Sequence, residues 1–352
     1  MINYPAPLGK NSRIALTAFS AGVPDAVHPR LDLAIEDMRQ RGFEIVEGRC
    51  LRRSHKHVSA PAAERAEEFM RFALDDTVDA LAPPWGGELT MELLDLLDFD
   101  RLREARPKWI FGFSDVSTLS AVITAKCHWA TAHCANFIDL IAAQTDPLTA
   151  RTLDGLTLRR GECFTQSSSK RYQAAAVSFE EKPAAPLDLS EPTRWKRLVS
   201  AADEPSNEGG APSMMEGRLL GGCLDTLGHL FNGPCLDLPG FAAAHGDHRC
   251  LLYFENVELS PTQLARTLLG MKYRGVFDDL AGILIGRNAG PERDGAGLTY
   301  SDVLESVLGG VGCPVLYDLD IGHKPPNLTL LNGSVATVRF EDGQGSIQQS
   351  LT

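Results

Sequence analysis

The stretch that decides the fold is Trp109-Ile-Phe-Gly-Phe-Ser-Asp-Val-Ser-Thr-Leu119. Three apolar residues and a glycine lead through Ser-Asp into a helical pattern, which predicts a strand that turns sharply into a helix. A serine on such a turn, here Ser114, projects its hydroxyl beyond the sheet, and the next backbone N–H, that of Asp115, points into the same space. This geometry suits a nucleophile beside half of an oxyanion hole. The alternative is a helix N-cap, which Ser114 or Ser117 would also supply.

Strand and helix patterns alternate on both sides of this turn. Before it, strands are predicted over 13–20, 43–47, 78–82 and 108–113, with helices over 29–41, 60–75 and 91–97. After it, strands are predicted over 250–255, 281–286 and 314–319, with helices over 260–271 and 301–308. Such alternation predicts an α/β fold whose first domain has a doubly wound parallel sheet, with its functional groups at the carboxyl ends of the strands.

The middle of the chain has a different composition. Residues 180–216 are rich in Pro, Ala, Ser, Glu and Gly and contain one aromatic residue, Trp195. A long irregular stretch of this kind is typical of a lid, a binding loop or a linker. We therefore predict an N-terminal domain over 1–179, a linker or lid over 180–216, and a C-terminal α/β domain over 217–352.

Composition narrows the class of protein. With 352 residues and 43% hydrophobic content, the chain is long enough to bury a large core and to form two domains. Its net charge of −12 argues against a nucleic-acid binder, which normally presents a basic surface. No run approaches the roughly 20 apolar residues of a membrane span, and the N-terminus lacks the basic-then-apolar layout of a signal peptide. We therefore expect a cytoplasmic protein that binds neither nucleic acid nor a membrane.

The cysteines and histidines indicate neither a disulfide framework nor a metal site. Eight cysteines are scattered without a Cys-x-x-Cys pair, which favours buried free thiols. Cys127-His128, His133-Cys134, and His245 with His248 would be the candidate metal ligands, but none has the spacing of a familiar zinc site. The sequence therefore predicts no metal.

Two further strand ends carry groups that complete nucleophilic catalysis. Glu255 directly follows an apolar strand, and His323 lies in the Gly/Pro-rich loop after the last predicted strand. A serine needs a base to accept its proton, and the base needs a partner that fixes its tautomer, so His323 and Glu255 are the candidate base and orienting carboxylate. Gly86-Gly87, just beyond the strand over 78–82, would supply the second oxyanion donor. Each of these groups also has a purely structural alternative. His323 would be a loop histidine held by backbone contacts, Glu255 would form a strand-end ion pair, and Gly86-Gly87 would be an ordinary glycine loop.

These blocks resemble the LD-carboxypeptidase family of serine peptidases, including its microcin C immunity branch. The resemblance spans nearly the whole chain and follows the order Ser…Glu…His, with blocks at Gly86-Gly87, Leu97-Asp-Phe-Asp100, Pro107–Asp115, Leu220-Gly-Gly222, Phe254-Glu255 and Gly322-His323. It implies Ser114 as nucleophile, His323 as base, Glu255 as its partner, and an oxyanion hole from the N–H groups of Asp115 and of Gly86 or Gly87. The chain departs from the family at His133-Cys134 and at Cys223, where Gly-Pro and Asn are frequent.

The resemblance also implies an architecture and an assembly. The N-terminal domain would resemble class I glutamine amidotransferases, and the C-terminal α/β domain would be smaller. The protein would be a homodimer that needs no metal or organic cofactor. An amidotransferase itself would have cysteine rather than Ser114 at the turn. A catalytically silent binding protein is the alternative from another class.

Two substrate classes follow from the family. Immunity-type members cleave an amide-type bond of a peptidyl- or aminoacyl-nucleotide toxin, whereas murein-recycling members remove D-alanine from an L,D-linked tetrapeptide. The long interval between Ser114 and Glu255, and Trp195 between Arg194 and Lys196, favour the first class, because a flat ring suits a nucleobase. The alternative role of Trp195 is to pin its loop to the protein body. Arg287 and Lys324 are the candidate cations for a substrate carboxylate.

Overall fold

The first sheet carries the strand that leads to Ser114. The computed structural model describes residues 1–141, 146–198, 213–246 and 248–352. Five parallel strands lie in the order β2-β1-β3-β4-β5, the doubly wound order of flavodoxin-like sheets. The predicted parallel α/β fold is therefore confirmed. The strands are β1 (Arg13–Leu16), β2 (Glu44–Glu47), β3 (Ala80–Ala82), β4 (Trp109–Gly112) and β5 (Thr131–His133).

The helices of this half follow the predicted alternation. They are α1 (His28–Gln40), α2 (Ala62–Ala73), α3 (Phe99–Glu104), α4 (Val116–Cys127) and the short α5 (Pro147–Ala150). Helix α4 is apolar and almost wholly buried, because it lies between the first sheet and the C-terminal half of the chain. Where a helix was expected over 91–97, the chain forms only a short 3-10 helix, Thr90–Leu93.

The second sheet has eight strands in the order β6-β16-β15-β10-β11-β12-β13-β9. Its centre, β10 to β13, is parallel, and the flanking strands pair antiparallel. The strands are β6 (Cys163–Ser167), β9 (Lys196–Arg197), β10 (Ser213–Cys223), β11 (Cys250–Glu255), β12 (Leu280–Gly286), β13 (Val315–Leu319), β15 (Val335–Glu341) and β16 (Gln344–Ser350). Its helices are α6 (Leu224–Leu227), α7 (Leu238–Ala244), α8 (Pro261–Tyr273) and α9 (Tyr300–Leu308).

The two halves exchange strands, which the sequence did not reveal. The residues of strand β6 lie within the predicted N-terminal domain, but the strand pairs with β16 of the second sheet. Strand β14 (Leu330–Asn332) returns to the first sheet and pairs antiparallel with β5. The second sheet has eight strands and the first has six, because the second also takes in β6 and β9, which lie outside the predicted C-terminal domain.

The predicted lid is partly built into the fold. Its strand β8 (Glu191–Pro192) pairs with β7 (Arg171–Tyr172), which precedes the predicted lid, and its strand β9 forms an edge of the second sheet. Strand β10 begins inside the predicted 180–216 region. The remainder of that region, residues 199–212, lies outside the described residues. No helix in the described ranges is long and apolar enough to cross a membrane.

Candidate active site

Ser114 occupies a strained turn between β4 and α4. Its φ is +67°, a left-handed conformation that costs a non-glycine residue about 1–2 kcal/mol. Asn136 stabilises the turn, because its side-chain oxygen accepts a hydrogen bond of 2.9 Å from the Phe113 N–H. Gly112 (φ +137°) makes this approach feasible, since a Cβ there would lie 2.7 Å from the same oxygen. The predicted strand–turn–helix geometry is therefore present, and Ser114 points away from the sheet.

Ser114, His323 and Glu255 come together from strands of both sheets. His323 Nε2 lies 3.0 Å from Ser114 Oγ, and His323 Nδ1 lies 2.9 Å from Glu255 Oε2. Ser114 follows β4 of the first sheet, whereas Glu255 ends β11 and His323 follows β13 of the second. The three groups, more than 60 residues apart in sequence, thus form one chain of hydrogen bonds.

The electrostatics of His323 and Glu255 suit a histidine base that becomes charged when it accepts a proton. Burial disfavours the charged imidazole, but the charge and hydrogen bond of Glu255 outweigh it and raise the pKa of His323 above its usual 6.5. Burial also opposes ionisation of Glu255, which is 0% exposed, yet contact with His323 lowers the pKa of its carboxyl. The pair therefore stabilises an imidazolium that would form when Ser114 gives up its proton.

Gly86 and the Asp115 N–H border one small space beside Ser114. An ideal Cβ on Gly86 would lie 2.7 Å from the Asp115 nitrogen and 2.9 Å from Ser114 Oγ. A space of this kind, next to the N-terminus of α4, suits a developing oxyanion. Gly87 has a φ of +144° and packs against Ser20 and Ala21 on the other side of the loop.

Filling that space gives a first test. The added methyl group would block access to the Asp115 N–H. We therefore expect Gly86→Ala to lower kcat by about 10²- to 10³-fold, the typical effect of losing one oxyanion donor. Gly295→Ala is the control, since a Cβ there meets nothing within 4 Å. Both variants are assayed beside their thermal unfolding. Full activity in a folded Gly86→Ala protein would remove Gly86 from the site.

The structure adds supporting residues that the sequence did not identify. The buried Asp115 carboxylate accepts hydrogen bonds from Ser20 Oγ (2.6 Å), the Thr90 N–H (2.8 Å) and Thr118 Oγ1 (2.9 Å), which fixes the turn. Gly322 (φ +96°) lies so close to Glu255 that a Cβ would come within 2.5 Å of its carboxylate. An acidic residue directly after a strand, the pattern that indicated Glu255, also occurs at Asp320.

Trp195 does not lie where the sequence interpretation placed it. Its side chain is 1% exposed and belongs to a core cluster of the second sheet, with its indole N–H donating to Asp320 Oδ2 at 2.8 Å. A ring buried in this way has no open face for a nucleobase, so the expectation of adenine stacking is corrected. The alternative interpretation, a residue that pins its segment to the protein body, fits these contacts.

A variant separates the two roles of Trp195. We expect Trp195→Leu to lower the free energy of unfolding by about 3 kcal/mol, as large-to-small core substitutions do, while KM for an aminoacyl nucleotide stays the same. A stacking residue would instead change KM by roughly 5- to 150-fold, because base stacking is worth about 1–3 kcal/mol. Denaturant unfolding and steady-state kinetics on the same preparation distinguish the two.

The two candidate carboxylate-binding cations differ in their surroundings. Arg287 is 4% exposed, and its guanidinium forms a buried ion pair with Asp320 and donates to the Lys324 carbonyl at 2.9 Å. These partners occupy the charge that a substrate carboxylate would need, so the expectation for Arg287 is corrected. Lys324 is partly exposed beside His323 and stays a candidate.

Comparison with known proteins places this geometry in a family. The chain matches the LD-carboxypeptidase N-terminal domain over residues 14–134 and the LD-carboxypeptidase C-terminal domain over 216–338. It is 26% identical to the microcin C7 self-immunity protein MccF of Escherichia coli, over 98% of this chain and 95% of that protein.

A second relative comes from the murein side of the family. The chain is 24% identical to a probable murein peptide carboxypeptidase of Bacillus subtilis, over 100% of this chain and 96% of that protein. Among solved structures, MccF in complex with aspartyl sulfamoyl adenosine superimposes with a TM-score of 0.80 at 25% identity, covering 99% of this chain and 98% of that one. The chain therefore belongs to the LD-carboxypeptidase family of serine peptidases.

Proposed function

We propose that this protein hydrolyses the amide-type bond between an aminoacyl or peptidyl group and a nucleotide, and so detoxifies a compound of that class. Ser114 Oγ attacks the acyl carbonyl while His323 accepts its proton, and Glu255 stabilises the imidazolium. The N–H groups of Asp115 and of Gly86 or Gly87 hold the oxyanion. His323 then protonates the leaving nitrogen, and water releases the acyl group by the same steps.

The observation that carries the hydrolase proposal is the hydrogen-bonded row Ser114–His323–Glu255, with distances of 3.0 and 2.9 Å. The substrate class is supported by the similarity to MccF, which was solved in complex with aspartyl sulfamoyl adenosine. Such a ligand joins an aminoacyl group to a nucleoside through an acylated nitrogen, which is the bond that an acyl-transfer site of this kind would cleave. With Trp195 buried, the nucleobase must be held by other residues.

A second candidate is removal of the terminal D-alanine from a murein tetrapeptide. The relative from Bacillus subtilis, similar over the whole chain, favours it. The burial of Trp195 favours it as well, because it removes one reason to expect a nucleobase. Lys324, beside His323, would then bind the substrate carboxylate.

Cellular setting and assembly are proposals that rest on the family resemblance. We propose a cytoplasmic location, since both substrate classes would be met inside the cell. We also propose a homodimer, as the family resemblance implies. The reaction described above requires only the chain's own residues, so we propose that it proceeds without a metal or an organic cofactor.

The deciding experiment offers purified protein both substrates side by side, with Ser114→Ala as control. One substrate is an aminoacyl sulfamoyl adenylate and the other is the murein tetrapeptide, and products are followed by mass spectrometry. Ser114-dependent cleavage of the adenylate supports the proposed function. Loss of D-alanine alone would replace it with the murein function, and no Ser114-dependent product from either would contradict both.

A further inference from the structure

Arg287 makes an unusually large set of contacts for a side chain that does not touch Ser114, Glu255 or the imidazole of His323. It follows β12, is 4% exposed, and forms an ion pair with Asp320, which is 0% exposed. The face of the Tyr172 ring lies 4.5 Å from its guanidinium carbon. The other partners are the carbonyls of Lys324 (2.9 Å) and Pro326 (3.5 Å) and the hydroxyls of Ser169 (3.2 Å) and Thr193 (3.0 Å).

These contacts hold the loop that carries His323. The carbonyls of three successive residues after His323 are all engaged: Lys324 and Pro326 by Arg287, and Pro325 by the Gln173 N–H at 2.8 Å. The two ends of the loop are joined by the Leu328 N–H, which donates to the Asp320 carbonyl at 2.8 Å. The backbone around His323 is thus fixed mainly from the side of Arg287.

The Arg287–Asp320 ion pair also holds the segment over residues 169–195. Asp320 accepts hydrogen bonds from the Ser169 N–H (3.1 Å) and from the indole N–H of Trp195 (2.8 Å). Together with the hydroxyls of Ser169 and Thr193 on Arg287, these bonds anchor both ends of the 169–195 segment. One buried pair therefore connects this segment to the loop of the candidate base.

We propose that Arg287 is the positioning residue for His323: its guanidinium sets the loop so that Nε2 stays within reach of Ser114 Oγ. This inference rests on the proposed function, since it assumes that His323 acts as the base. Arginine suits the task because its planar fork donates in several directions at once, whereas lysine is a single compact charge on a flexible stem. A displacement of about 1 Å in such a group can lower the rate roughly 100-fold.

The competing role for Arg287 is substrate binding, and kinetics separate the two. Loss of a positioning residue lowers kcat and leaves KM unchanged, whereas loss of a carboxylate-binding residue raises KM. A phosphonofluoridate, which carries no carboxylate, adds a second readout. Its reaction with Ser114 needs the base but no substrate contact, so it slows only if Arg287 positions His323.

The experiment compares Arg287→Lys with Arg218→Lys in the full-length protein. Arg218 is the matched control because it is also a buried arginine whose guanidinium donates to a backbone carbonyl, that of Gly333. It pairs with Cys250, at the end of β11 opposite Glu255. We expect Arg287→Lys to lower kcat and the rate of phosphonofluoridate labelling by about 10- to 100-fold, with KM within about twofold. Arg218→Lys should leave both rates near the wild-type values.

Three results would overturn the inference. They are a raised KM with normal labelling, wild-type rates in folded Arg287→Lys, and an equal loss in the Arg218 control. If Arg287→Lys does not fold, Asp320→Asn replaces it, because asparagine keeps the volume and one acceptor oxygen, and a lowered kcat with constant KM is again expected. A wild-type protein that neither cleaves substrate nor reacts at Ser114 would refute the proposed function itself, and this inference with it.

Discussion

Replacing Ser114 with alanine is expected to reduce hydrolysis by roughly 10⁴- to 10⁶-fold, the scale seen when a catalytic serine is removed. The reason is that Ser114 Oγ lies 3.0 Å from His323 Nε2, within reach of the base that would accept its proton. Ser120→Ala is the matched control, since Ser120 is buried on α4, the helix that follows Ser114, and its hydroxyl donates to the Ser117 carbonyl at 3.4 Å. Retained activity in Ser114→Ala would show that another residue attacks the substrate.

The strain at Ser114 adds a stability readout to the same position. Because its φ is +67°, Ser114→Gly should be inactive and yet more stable than wild type by about 1 kcal/mol. Ser120→Gly, in the interior of α4, should instead lose about 0.5–1 kcal/mol. Denaturant midpoints measure both, and a loss of stability in Ser114→Gly would mean that the turn is not strained.

Replacing Glu255 with glutamine is expected to lower kcat by about 10³- to 10⁴-fold, because the wrong tautomer of His323 is then favoured and imidazolium is no longer stabilised. Glutamine keeps the shape, which matters because Gly322 and Gly286 pack directly against this side chain. Glu258→Gln, an exposed neighbour on the following loop, is the control and should retain most activity. A folded Glu255→Gln protein with normal kcat would exclude Glu255 from the mechanism.

The pH profile of the same variant tests the charge on Glu255. The base must be neutral to accept a proton, so kcat/KM falls as the pH drops through the pKa of His323, which lies above 6.5. Removing the Glu255 charge lowers that pKa, so the acid limb of the profile should move to lower pH in Glu255→Gln. An acid limb that does not move would mean that Glu255 leaves the pKa of His323 unaffected.

The sequence was most informative where local pattern and chemistry coincide. The alternation of strands and helices predicted the parallel α/β fold, and the polar residues that follow three strands predicted that Ser114, Glu255 and His323 act together. The helix boundaries were predicted to within about two residues for α1 and α2. The Gly-x-Ser-Asp and Gly-His blocks indicated the family that the domain matches then confirmed.

What the sequence could not give depends on distant parts of the chain. Strand β6 joins the second sheet and β14 joins the first, and no local periodicity encodes either pairing. The sequence indicated nucleobase stacking by Trp195 and carboxylate binding by Arg287, and both roles need a side chain that a ligand can reach. In the fold both are buried and bond to one shared partner, Asp320, more than 30 residues from Arg287 and 125 from Trp195.

The most direct measurement is the site of covalent labelling by a phosphonofluoridate, mapped by peptide mass spectrometry. We predict one adduct, on Ser114, that forms quickly in the wild-type protein, slowly in His323→Ala and not at all in Ser114→Ala. An adduct on another residue, or none in a protein that still cleaves its substrate, would contradict nucleophilic catalysis by Ser114.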